Sequence, residues 1–494
     1  MMKLRLALAA LLCLSACGDG GGGGPTPPPV PTPASIVLTP GDTTLRLDDT
    51  VRFTARVLDQ SGKEMLGSQV AWETSDLDVA SVGPGGRVEA TGAGEAQVTA
   101  TAGTVRKTVR VRVQPDFSSV TAGWTHVCAL DPAGRAYCWG RNLEGQLGVE
   151  AVPEACGPAT PCSTRPVAVS GDLRFRAISA RWTNTCGLTL EGTVFCWGAA
   201  GSGTTGIVTT VPAGRTAIPR QIPGLSGVQA VSTGGGHACA LLGDGTVRCW
   251  GTNHRGQLGV GLTTTARCSS SLLPCSPTPV HAAPGRTFVS IVAGQRSTCG
   301  ITTDRELYCW GETYPPSGGT FTEAPKPDVC SGASCYLAPA KLFSEARVQS
   351  LGIGESHACL LTEAGKAYCW GENHSQALGL GKWGTFTYPQ PVAGALAFRS
   401  IAAGSDHTCA VATDGRGYCW GDNSTGERGT PTYTFGETSQ VSGDHRFASL
   451  VSNSGFNCGL TTRGMLYCWG VNWHGQLGNG EYDLTNGQQY VLPQ

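Results

Sequence analysis

Residues 404–421 decide the fold of this chain and read Gly-Ser-Asp-His-Thr-Cys-Ala-Val-Ala-Thr-Asp-Gly-Arg-Gly-Tyr-Cys-Trp-Gly. Two short apolar runs flank a turn at 412–415, where Gly415 supplies the positive φ that such a turn needs. The segment therefore predicts an antiparallel β-hairpin in which Cys409 and Cys419 lie opposite each other.

The same hairpin recurs along the chain. The tripeptide Cys-Trp-Gly occurs seven times at intervals of 49 to 60 residues, and each copy lies ten residues after another cysteine. Such a period marks a repeat protein whose units stack on their neighbours. A strand before each hairpin, such as 398–404, and a Pro-Val strand, such as 389–392, bring each unit to four strands. Residues 116–494 are therefore predicted to form an all-β, seven-bladed β-propeller.

The ends of the repeat region suggest how the ring closes. The repeat begins in the middle of a unit at 117–120, and the Pro-Val strand that it lacks occurs at 490–493. We expect this C-terminal strand to complete the first blade, which leaves no long open edge.

A second motif follows the hairpin. Three units continue as Asn-x-x-Gly-Gln-Leu-Gly, at 142–148, 253–259 and 472–478. With the preceding Gly-x-x-His-x-Cys, this pattern resembles the regulator of chromosome condensation repeat, a family of seven-bladed propellers. Residues 373–379 match with Gln376 shifted by one, whereas units two, four and six have lost most of this box. The resemblance is specific for the fold and much less so for function.

Opposed cysteines predict one cross-strand disulfide in each blade, because directly opposed strand residues lie within disulfide range. These pairs are Cys128–Cys138, Cys186–Cys196, Cys239–Cys249, Cys299–Cys309, Cys359–Cys369, Cys409–Cys419 and Cys458–Cys468. Six more cysteines, in the loops after the hairpins of blades one, three and four, are expected to pair as Cys156–Cys162, Cys268–Cys275 and Cys330–Cys335. These loops are either stapled against proteolysis or form a preorganised binding rim.

No catalytic or metal site is expected. Zinc ligands usually come as cysteine pairs two to four residues apart, and pairs ten apart in separate blades would not converge. Four histidines recur two residues before a cysteine, and we interpret them as repeat positions that bond to backbone near the central channel: His126, His237, His357 and His407. Without a nucleophile, phosphate-loop or dinucleotide motif, no cofactor is expected, and the chain is interpreted as not an enzyme.

The N-terminus carries an export signal. Residues 1–16 combine Lys3 and Arg5 with an apolar run at 6–14, and the following Cys17 resembles the lipidated cysteine of bacterial lipoproteins. An ordinary signal peptide with a small-residue cleavage site is the alternative. Gly18 directly after this cysteine favours, by that resemblance, the outer membrane or cell surface. The 22 cysteines also indicate an oxidising compartment.

Two segments separate this anchor from the propeller. Residues 17–34 form a Gly- and Pro-rich tether, flexible in its first half and stiff in its second. Residues 35–114 alternate apolar and polar in short strands and predict a small immunoglobulin-like β-sandwich. The runs 70–76, 86–90 and 94–100 resemble the bacterial immunoglobulin-like domain of group 2, a family of spacers and adhesive modules.

The function favoured by the sequence is a non-catalytic binding scaffold that uses one propeller face. Its partner would be a protein or another envelope component, with the membrane reached through lipid on Cys17. The net charge of −1 gives no reason to expect nucleic acid binding. Three alternatives remain: guanine-nucleotide exchange by family resemblance, inhibition of an enzyme in the manner of beta-lactamase inhibitor protein II, and an enzyme such as a lyase or glycosidase.

Overall fold

All regular elements that the structure describes are β-strands. It is a computed structural model that describes residues 31–46, 49–77, 79–91, 94–114, 116–152, 154–201, 203–205, 215–262, 264, 266–268, 273–312, 328–330, 333–431, 438–483 and 489–491. The signal segment, Cys17 and most of the tether lie outside these residues.

Residues 35–114 form a β-sandwich around one apolar core. Phe53 and Val98 are buried in this core, and Trp72 packs against it half-buried. The sheets have the strand orders β1-β4, β2-β9-β8-β5 and β3-β7-β6. The strands are β1 (Ser35–Thr39), β2 (Thr43–Arg46), β3 (Thr50–Arg52), β4 (Thr54–Leu58), β5 (Ala71–Thr74), β6 (Ala80–Val82), β7 (Arg87–Ala90), β8 (Gly94–Ala102) and β9 (Val105–Gln114).

Seven sheets, here called sheets 1 to 7, follow one another in the described residues after 116. The strands of sheets 1 to 3 are β10 (Ser119–Ala122), β11 (His126–Leu130), β12 (Ala136–Arg141), β13 (Glu154–Ala155), β14 (Pro161–Ala168); β15 (Phe175–Arg181), β16 (Asn184–Thr189), β17 (Val194–Ala199), β18 (Arg215–Gln221); β19 (Val228–Thr233), β20 (His237–Leu242), β21 (Val247–Thr252), β22 (Ala266–Cys268) and β23 (Leu273–Ala282).

Sheets 4 to 7 continue the pattern. Their strands are β24 (Phe288–Ala293), β25 (Ser297–Thr302), β26 (Leu307–Glu312), β27 (Asp328–Cys330), β28 (Ala333–Phe343); β29 (Val348–Ile353), β30 (His357–Thr362), β31 (Ala367–Glu372), β32 (Thr385–Pro391); β33 (Phe398–Ala403), β34 (His407–Ala412), β35 (Gly417–Gly421), β36 (Ser439–Gln440); β37 (Phe447–Ser452), β38 (Phe456–Thr461), β39 (Leu466–Gly470) and β40 (Gln489–Val491). Four sheets run in chain order, whereas in sheets 1, 3 and 4 a short strand that precedes the outer strand in the chain pairs on the outside of it, as β13 does with β14. The all-β propeller fold expected from the repeat is confirmed.

The second and third strands of each sheet form the hairpin read from the sequence. Cys409 lies directly opposite Cys419, and the six other pairs share this register. Their Cα atoms are 4.0 to 4.1 Å apart, and all seven pairs are disulfide-bonded. The tryptophan that follows each third-strand cysteine is buried and packs against the preceding sheet, as Trp197 does beside Leu147.

The ring does not close in the way expected from the sequence. Strand β40 pairs with β39 and completes sheet 7, whereas sheet 1 receives its outer strand β14 from its own unit. The prediction that the C-terminal strand completes the first blade is therefore wrong. The Pro-Val strand follows the Cys-Trp-Gly strand of the same unit and pairs with it through the shorter connection.

Side-chain packing joins sheet 7 to sheet 1. Phe117 and Trp139 of the first unit share an apolar cluster with Phe456 and Leu477 of the last. The amide of Phe117 donates a hydrogen bond to the carbonyl of Gly464 at 2.9 Å. The ring of described sheets is therefore closed by packing, without exchange of a strand between its ends.

Candidate functional site on the box face of the propeller

One face of the propeller gathers the segments that the repeat motifs mark. In an antiparallel sheet, the loop between strands one and two and the loop after strand three leave from the same end. This end carries the loop before each His-x-Cys strand and the turn after each Cys-Trp-Gly. We call it the box face and the opposite end, which carries the hairpin turns, the turn face.

The turn after Cys-Trp-Gly has one geometry in units with different sequences. In sheet 1 the Asn142 side chain accepts a hydrogen bond from the Leu147 amide at 3.1 Å. Asn423 accepts an equivalent bond from Arg428 at 2.8 Å in sheet 6, although that unit departs from the motif. The asparagine therefore fixes the turn, and the residue types after it are free to change.

At six places around the ring, the turn after Cys-Trp-Gly bonds to the tryptophan of the next sheet, whereas Nε1 of Trp370 in sheet 5 has no partner among the described residues. The indole N–H of Trp197 donates to the carbonyl of Gln146 at 3.0 Å, which joins sheet 2 to sheet 1. Equivalent bonds of 2.8 to 3.1 Å join Trp250 to Thr204, Trp310 to Gln257, Trp420 to Ala377, Trp469 to Glu427 and Trp139 to Gln476. The last of these joins sheet 1 to sheet 7, so the closure uses the same bond as the rest of the ring.

The repeated histidines form a second bond between sheets. Nε2 of His126 lies 2.9 Å from the Thr185 hydroxyl, which itself donates to the carbonyl of Gln146 at 3.2 Å. The hydroxyl hydrogen is used in that second bond, so His126 must donate from Nε2–H. His237, His357 and His407 make equivalent contacts with Thr298, Thr408 and Asn457. The expectation of bonds to backbone is therefore incomplete: each ring contacts a side chain of the next sheet, and His237 and His357 also have a backbone hydrogen bond, with Ser297 and Ser405 respectively.

Burial keeps three of these histidines neutral, namely His126, His237 and His357. It lowers the pKa of His126 to about 3, and the pKa values of His237 and His357 to about 3 as well. Nδ1 of each ring is buried and has no hydrogen-bond partner within the described residues. A proton on that nitrogen would be a buried charge without compensation, so these rings act as structural donors.

A glycine accommodates each of these rings. A Cβ at Gly123 would overlap the imidazole of His126, and Gly234 and Gly404 stand in the same relation to their histidines. Sheet 2 has Arg181 and Asn184 at the corresponding two positions. The recurrent Gly-x-x-His motif is therefore a packing pair, and a unit that loses the histidine can change the glycine.

The three remaining disulfides lie in β-hairpins. Cys162, Cys275 and Cys335 sit on the outer strands, opposite Arg141, Thr252 and Glu312 respectively. They pair with Cys156, Cys268 and Cys330, as expected, with Cα atoms 5.8 to 5.9 Å apart. The expectation of simple loops is wrong, because the segments fold back as the fifth strands of sheets 1, 3 and 4. Their shared register places all three on the box face.

One of these hairpins borders a buried charge cluster. Glu312, which is 9% exposed, forms ion pairs with Arg255 at 3.1 Å and with Arg296 at 3.4 Å. Arg255 also donates to the carbonyl of Cys330. The pKa of the adjacent His254 falls to about 4 because of burial and of the charges on both arginines. This cluster fixes the sheet 4 hairpin against the turn of sheet 3.

The loop tips at the centre of the box face hold residues that the sequence analysis missed. Trp124 and Trp182 have ring centroids 4.8 Å apart and are half-buried. Arg181 reaches across the centre from sheet 2 and donates to the carbonyl of Gly354 in sheet 5 at 2.9 Å. The signal was present in the repeat, because both tryptophans lie four residues before a hairpin cysteine, where the other units have Gly or polar residues.

The described residues provide neither a metal site nor a membrane-spanning helix. They contain no cluster of three or more His, Cys, Asp or Glu side chains suited to a metal ion. No helix in the same part of the chain is long and apolar enough to span a membrane.

Two sequence families match the chain. The Regulator of chromosome condensation (RCC1) repeat matches residues 117–146, 228–257, 348–376 and 398–427 in one form and 191–241, 244–301 and 364–411 in another. The bacterial Ig-like domain (group 2) matches residues 34–113. Both are the families that the motifs resemble.

Two curated relatives are similar to part of the chain. The mitochondrial RCC1 domain-containing protein RUG3 of Arabidopsis thaliana is 28% identical over 50% of this chain and 54% of the relative. The Secretion-regulating guanine nucleotide exchange factor of Mus musculus is 28% identical over 53% of each chain. The chain thus spans about half the length of the curated relatives it matches.

Solved structures show the same fold. Human WBSCR16 superposes with a TM-score of 0.60 at 17% identity, over 72% of this chain and 94% of that one. Prp20p from Saccharomyces cerevisiae gives 0.56 at 22% identity, over 69% and 81%. The chain is therefore a β-propeller that carries regulator of chromosome condensation repeats, preceded by a bacterial Ig-like domain of group 2.

Proposed function

We propose that the chain is an exported, lipid-anchored binding protein whose seven-bladed propeller holds a protein partner on its box face. The observation that carries the proposal is the use of 20 of the 22 cysteines in ten disulfides, one of them in every hairpin sheet. Such disulfides persist in oxidising compartments and are rare in the cytosol. The favoured location is the bacterial outer membrane or cell surface.

The order of the segments supports a display role. Cys17 carries the lipid, the tether 17–34 lifts the chain from the membrane, and the Ig-like domain acts as a spacer. That domain also contacts the propeller, because Glu95 pairs with Arg165 at 3.0 Å and Arg46 pairs with Asp116 at 3.4 Å. Such contacts restrict how the box face is oriented relative to the spacer.

A protein partner suits this architecture better than a substrate. The repeated histidines and tryptophans of the box face are occupied in bonds between sheets, and they are therefore not free for chemistry. Prp20p, which shares the fold, has been described with its binding properties to Gsp1p and histones. This precedent supports binding of a protein through the propeller.

Guanine-nucleotide exchange is the second candidate, favoured by the similarity to the Secretion-regulating guanine nucleotide exchange factor. Small GTPases and their nucleotides are cytosolic, and a chain with a disulfide in every hairpin sheet would not fold normally in that compartment. We therefore rank it below a surface binding role.

The anchor is tested by labelling cells with a palmitate analogue. Cys17→Ala should abolish the label, whereas the matched variant Cys13→Ala should keep it. Label that persists in Cys17→Ala would show that the chain is not anchored at this residue.

Purified propeller should capture a partner from envelope extracts, and capture of a small GTPase from cytosolic extract would instead favour exchange.

The stapled hairpin of sheet 1 is tested in the same capture experiment. A form that lacks residues 150–165 should lose the partner if the three hairpins make up a binding rim. Unchanged capture would leave these disulfides with a protective role alone. Far-ultraviolet circular dichroism of the deletion form should match the parent, which separates lost binding from lost folding.

A further inference from the structure

We infer that the centre of the box face is a docking site for a basic segment of the partner, formed by the Trp124–Trp182 pair and the carboxylates across from it. The inference rests on the proposed binding function and names its site and its chemistry. We call the site the mouth; it comprises the loop tips 123–125, 181–183, 234–236, 294–296, 354–356, 404–406 and 453–455, together with Glu372 and Asp422, which directly follow Cys-Trp-Gly in sheets 5 and 6.

The aromatic side of the mouth is built by neighbouring loop tips. The amide of Trp124 donates to the carbonyl of Trp182 at 2.8 Å, and its indole N–H donates to the Ser454 hydroxyl at 2.8 Å. Both indoles remain partly exposed. The Trp124 indole is held by its bond to Ser454 and the Trp182 indole packs against it, so the two rings form an apolar platform that is open to solvent.

The backbone of Trp182 is strained. Its φ is 52°, in the left-handed region that bulky side chains rarely adopt. Such strain persists where surrounding contacts impose it, and it is concentrated at functional sites. Glycine would fit this backbone without strain, so folding does not require an indole at this position.

Arg181 links the two sides of the mouth. It directly precedes Trp182, and its guanidinium donates to the carbonyl of Gly354, which directly precedes Glu355. The aromatic platform and Glu355 therefore lie one side-chain length apart, on opposite sides of the same opening. One extended segment of a partner can contact both.

The opposite side is acidic. Glu355, Glu372 and Asp422 are half-buried and Asp406 is exposed, and no Lys or Arg nitrogen in the described chain lies within 4.0 Å of these four carboxylates. Backbone bonds connect their segments: the amide of Asp422 donates to the carbonyl of Asp406 at 2.9 Å, that of Glu372 to Ser356 at 3.0 Å and that of Glu355 to Gly404 at 3.3 Å. On the turn face, by contrast, Asp131 and Asp414 pair with arginines on their own turns.

This combination selects a cationic ligand. Arginine and lysine side chains bind the face of tryptophan through cation–π attraction, and arginine also pairs with carboxylates in two-bond geometry. An uncharged segment would gain from the indoles alone and would supply no cation to the carboxylates, of which Asp422 and Asp406 accept hydrogen bonds only from neutral groups. A second copy that docks through the same face would oppose its own carboxylates, which is unfavourable.

Peptide binding to the purified, oxidised full chain tests the inference. The probe is a fluorescein-labelled peptide of alternating Gly, Ser and Arg, and its matched control has citrulline in place of each Arg, which keeps the shape and removes the charge. Fluorescence anisotropy should give a dissociation constant at least about tenfold lower for the Arg peptide. Equal binding of the two peptides would overturn the inference in favour of an uncharged occupant.

Two variants locate the binding. Trp182→Gly suits the left-handed backbone and should fold. Both Trp182→Gly and Glu355→Gln should weaken binding of the Arg peptide by about tenfold. The matched controls are Trp383→Ala, whose side chain is 62% exposed outside the mouth, and Glu191→Gln, which is exposed on the turn face. Equal weakening by a control variant would show that binding is not at the mouth.

The outcome is separable from that of the proposed function. Failure of the peptide to bind, with envelope capture and lipid labelling intact, would remove only the basic-segment inference. Selective peptide binding by a chain that is neither labelled nor able to capture an envelope protein would retain the site and remove the anchored scaffold.

Discussion

The loops before the His-x-Cys strands contain two kinds of position that differ in burial and in chemistry. Two residues before the cysteine, four of seven units have a histidine that is fully buried and bonded to the next sheet. Four residues before the cysteine, the units have Trp124, Trp182, Gly235, Gln295, Glu355, Ser405 and Ser454. We call the histidines, the Cys-Trp-Gly tryptophans and the turns to which these tryptophans bond the inner layer; it repeats because it joins neighbouring sheets, whereas the residue types at the tips differ from unit to unit.

Among the changes predicted here, removal of a buried Cys-Trp-Gly tryptophan should lower the free energy of unfolding the most. Trp197→Ala deletes a fully buried ring and its bond to Gln146, and should lower the free energy of unfolding by about 3–5 kcal/mol. Trp182→Gly at the tip should change it by less than about 1 kcal/mol, because relief of backbone strain offsets the lost contacts. Chemical denaturation of both variants measures the difference, and equal losses would erase the distinction between the layers.

The second-largest loss of stability is expected when a side chain fills the space next to a buried histidine. Gly123→Ala places a methyl group against the His126 imidazole and should destabilise the chain by about 1–3 kcal/mol. The matched control is Gly41→Ala, because a Cβ there meets nothing within 4 Å. Thermal unfolding of both variants checks this, and an unchanged midpoint for Gly123→Ala would show that the ring can move aside.

Acid should weaken the inner layer. The pKa of His126 is about 3 in the folded chain, because of burial, against an ordinary value of 6.5, so the unfolded chain binds more protons between these limits. The contribution of His126 is thus complete above pH 6.5 and falls by about 1.4 kcal/mol per pH unit below it. His126→Gln keeps a donor for Thr185 but has no titrating group, so its free energy of unfolding should depend less steeply on pH. Chemical denaturation of both proteins at several pH values measures this, and the same slope of unfolding free energy against pH for both would contradict it.

The smallest change in stability is expected at a turn position where one unit departs from the residue type of the others. Sheet 6 has a fully buried Arg428 at the position of Leu147 and Leu477 in other turns. Arg428→Leu should leave the stability unchanged or raise it by up to about 2 kcal/mol, because a well-packed apolar side chain replaces a buried charge at little cost. Denaturant midpoints test this, and a loss above about 2 kcal/mol would show that the guanidinium is essential to this turn.

Much of the local structure could be predicted from the residues. Cys128 and Cys138 lie opposite each other because the turn at residues 131–134 fixes the register of the two strands. The outer strand was assigned to the wrong unit because a Pro-Val segment lies between two hairpins, and its sequence does not say which one it joins. Pairing with the preceding hairpin is a tertiary choice set by the shorter connection.

The candidate site was less accessible to prediction. The partner of His126 is Thr185, 59 residues away, and Arg181 meets Gly354 across 173 residues. No periodicity within one unit shows such contacts, because they arise only when the ring brings sheets of different units together. The substitution of Trp for Gly or a polar residue at two loop tips was visible, but its meaning depends on the residues opposite it.

The sequence by itself therefore determined the repeat, the hairpins, the pairing of the cysteines and the all-β propeller, since each rests on register between residues that are close along the chain. Only the tertiary structure decided how the ring closes, which side chains accept the histidine hydrogen bonds, and that the aromatic and acidic tips share one mouth. The histidine bonds join residues 50 to 61 positions apart and the closing bond joins residues 337 apart, so their geometry comes from the curvature of the whole ring.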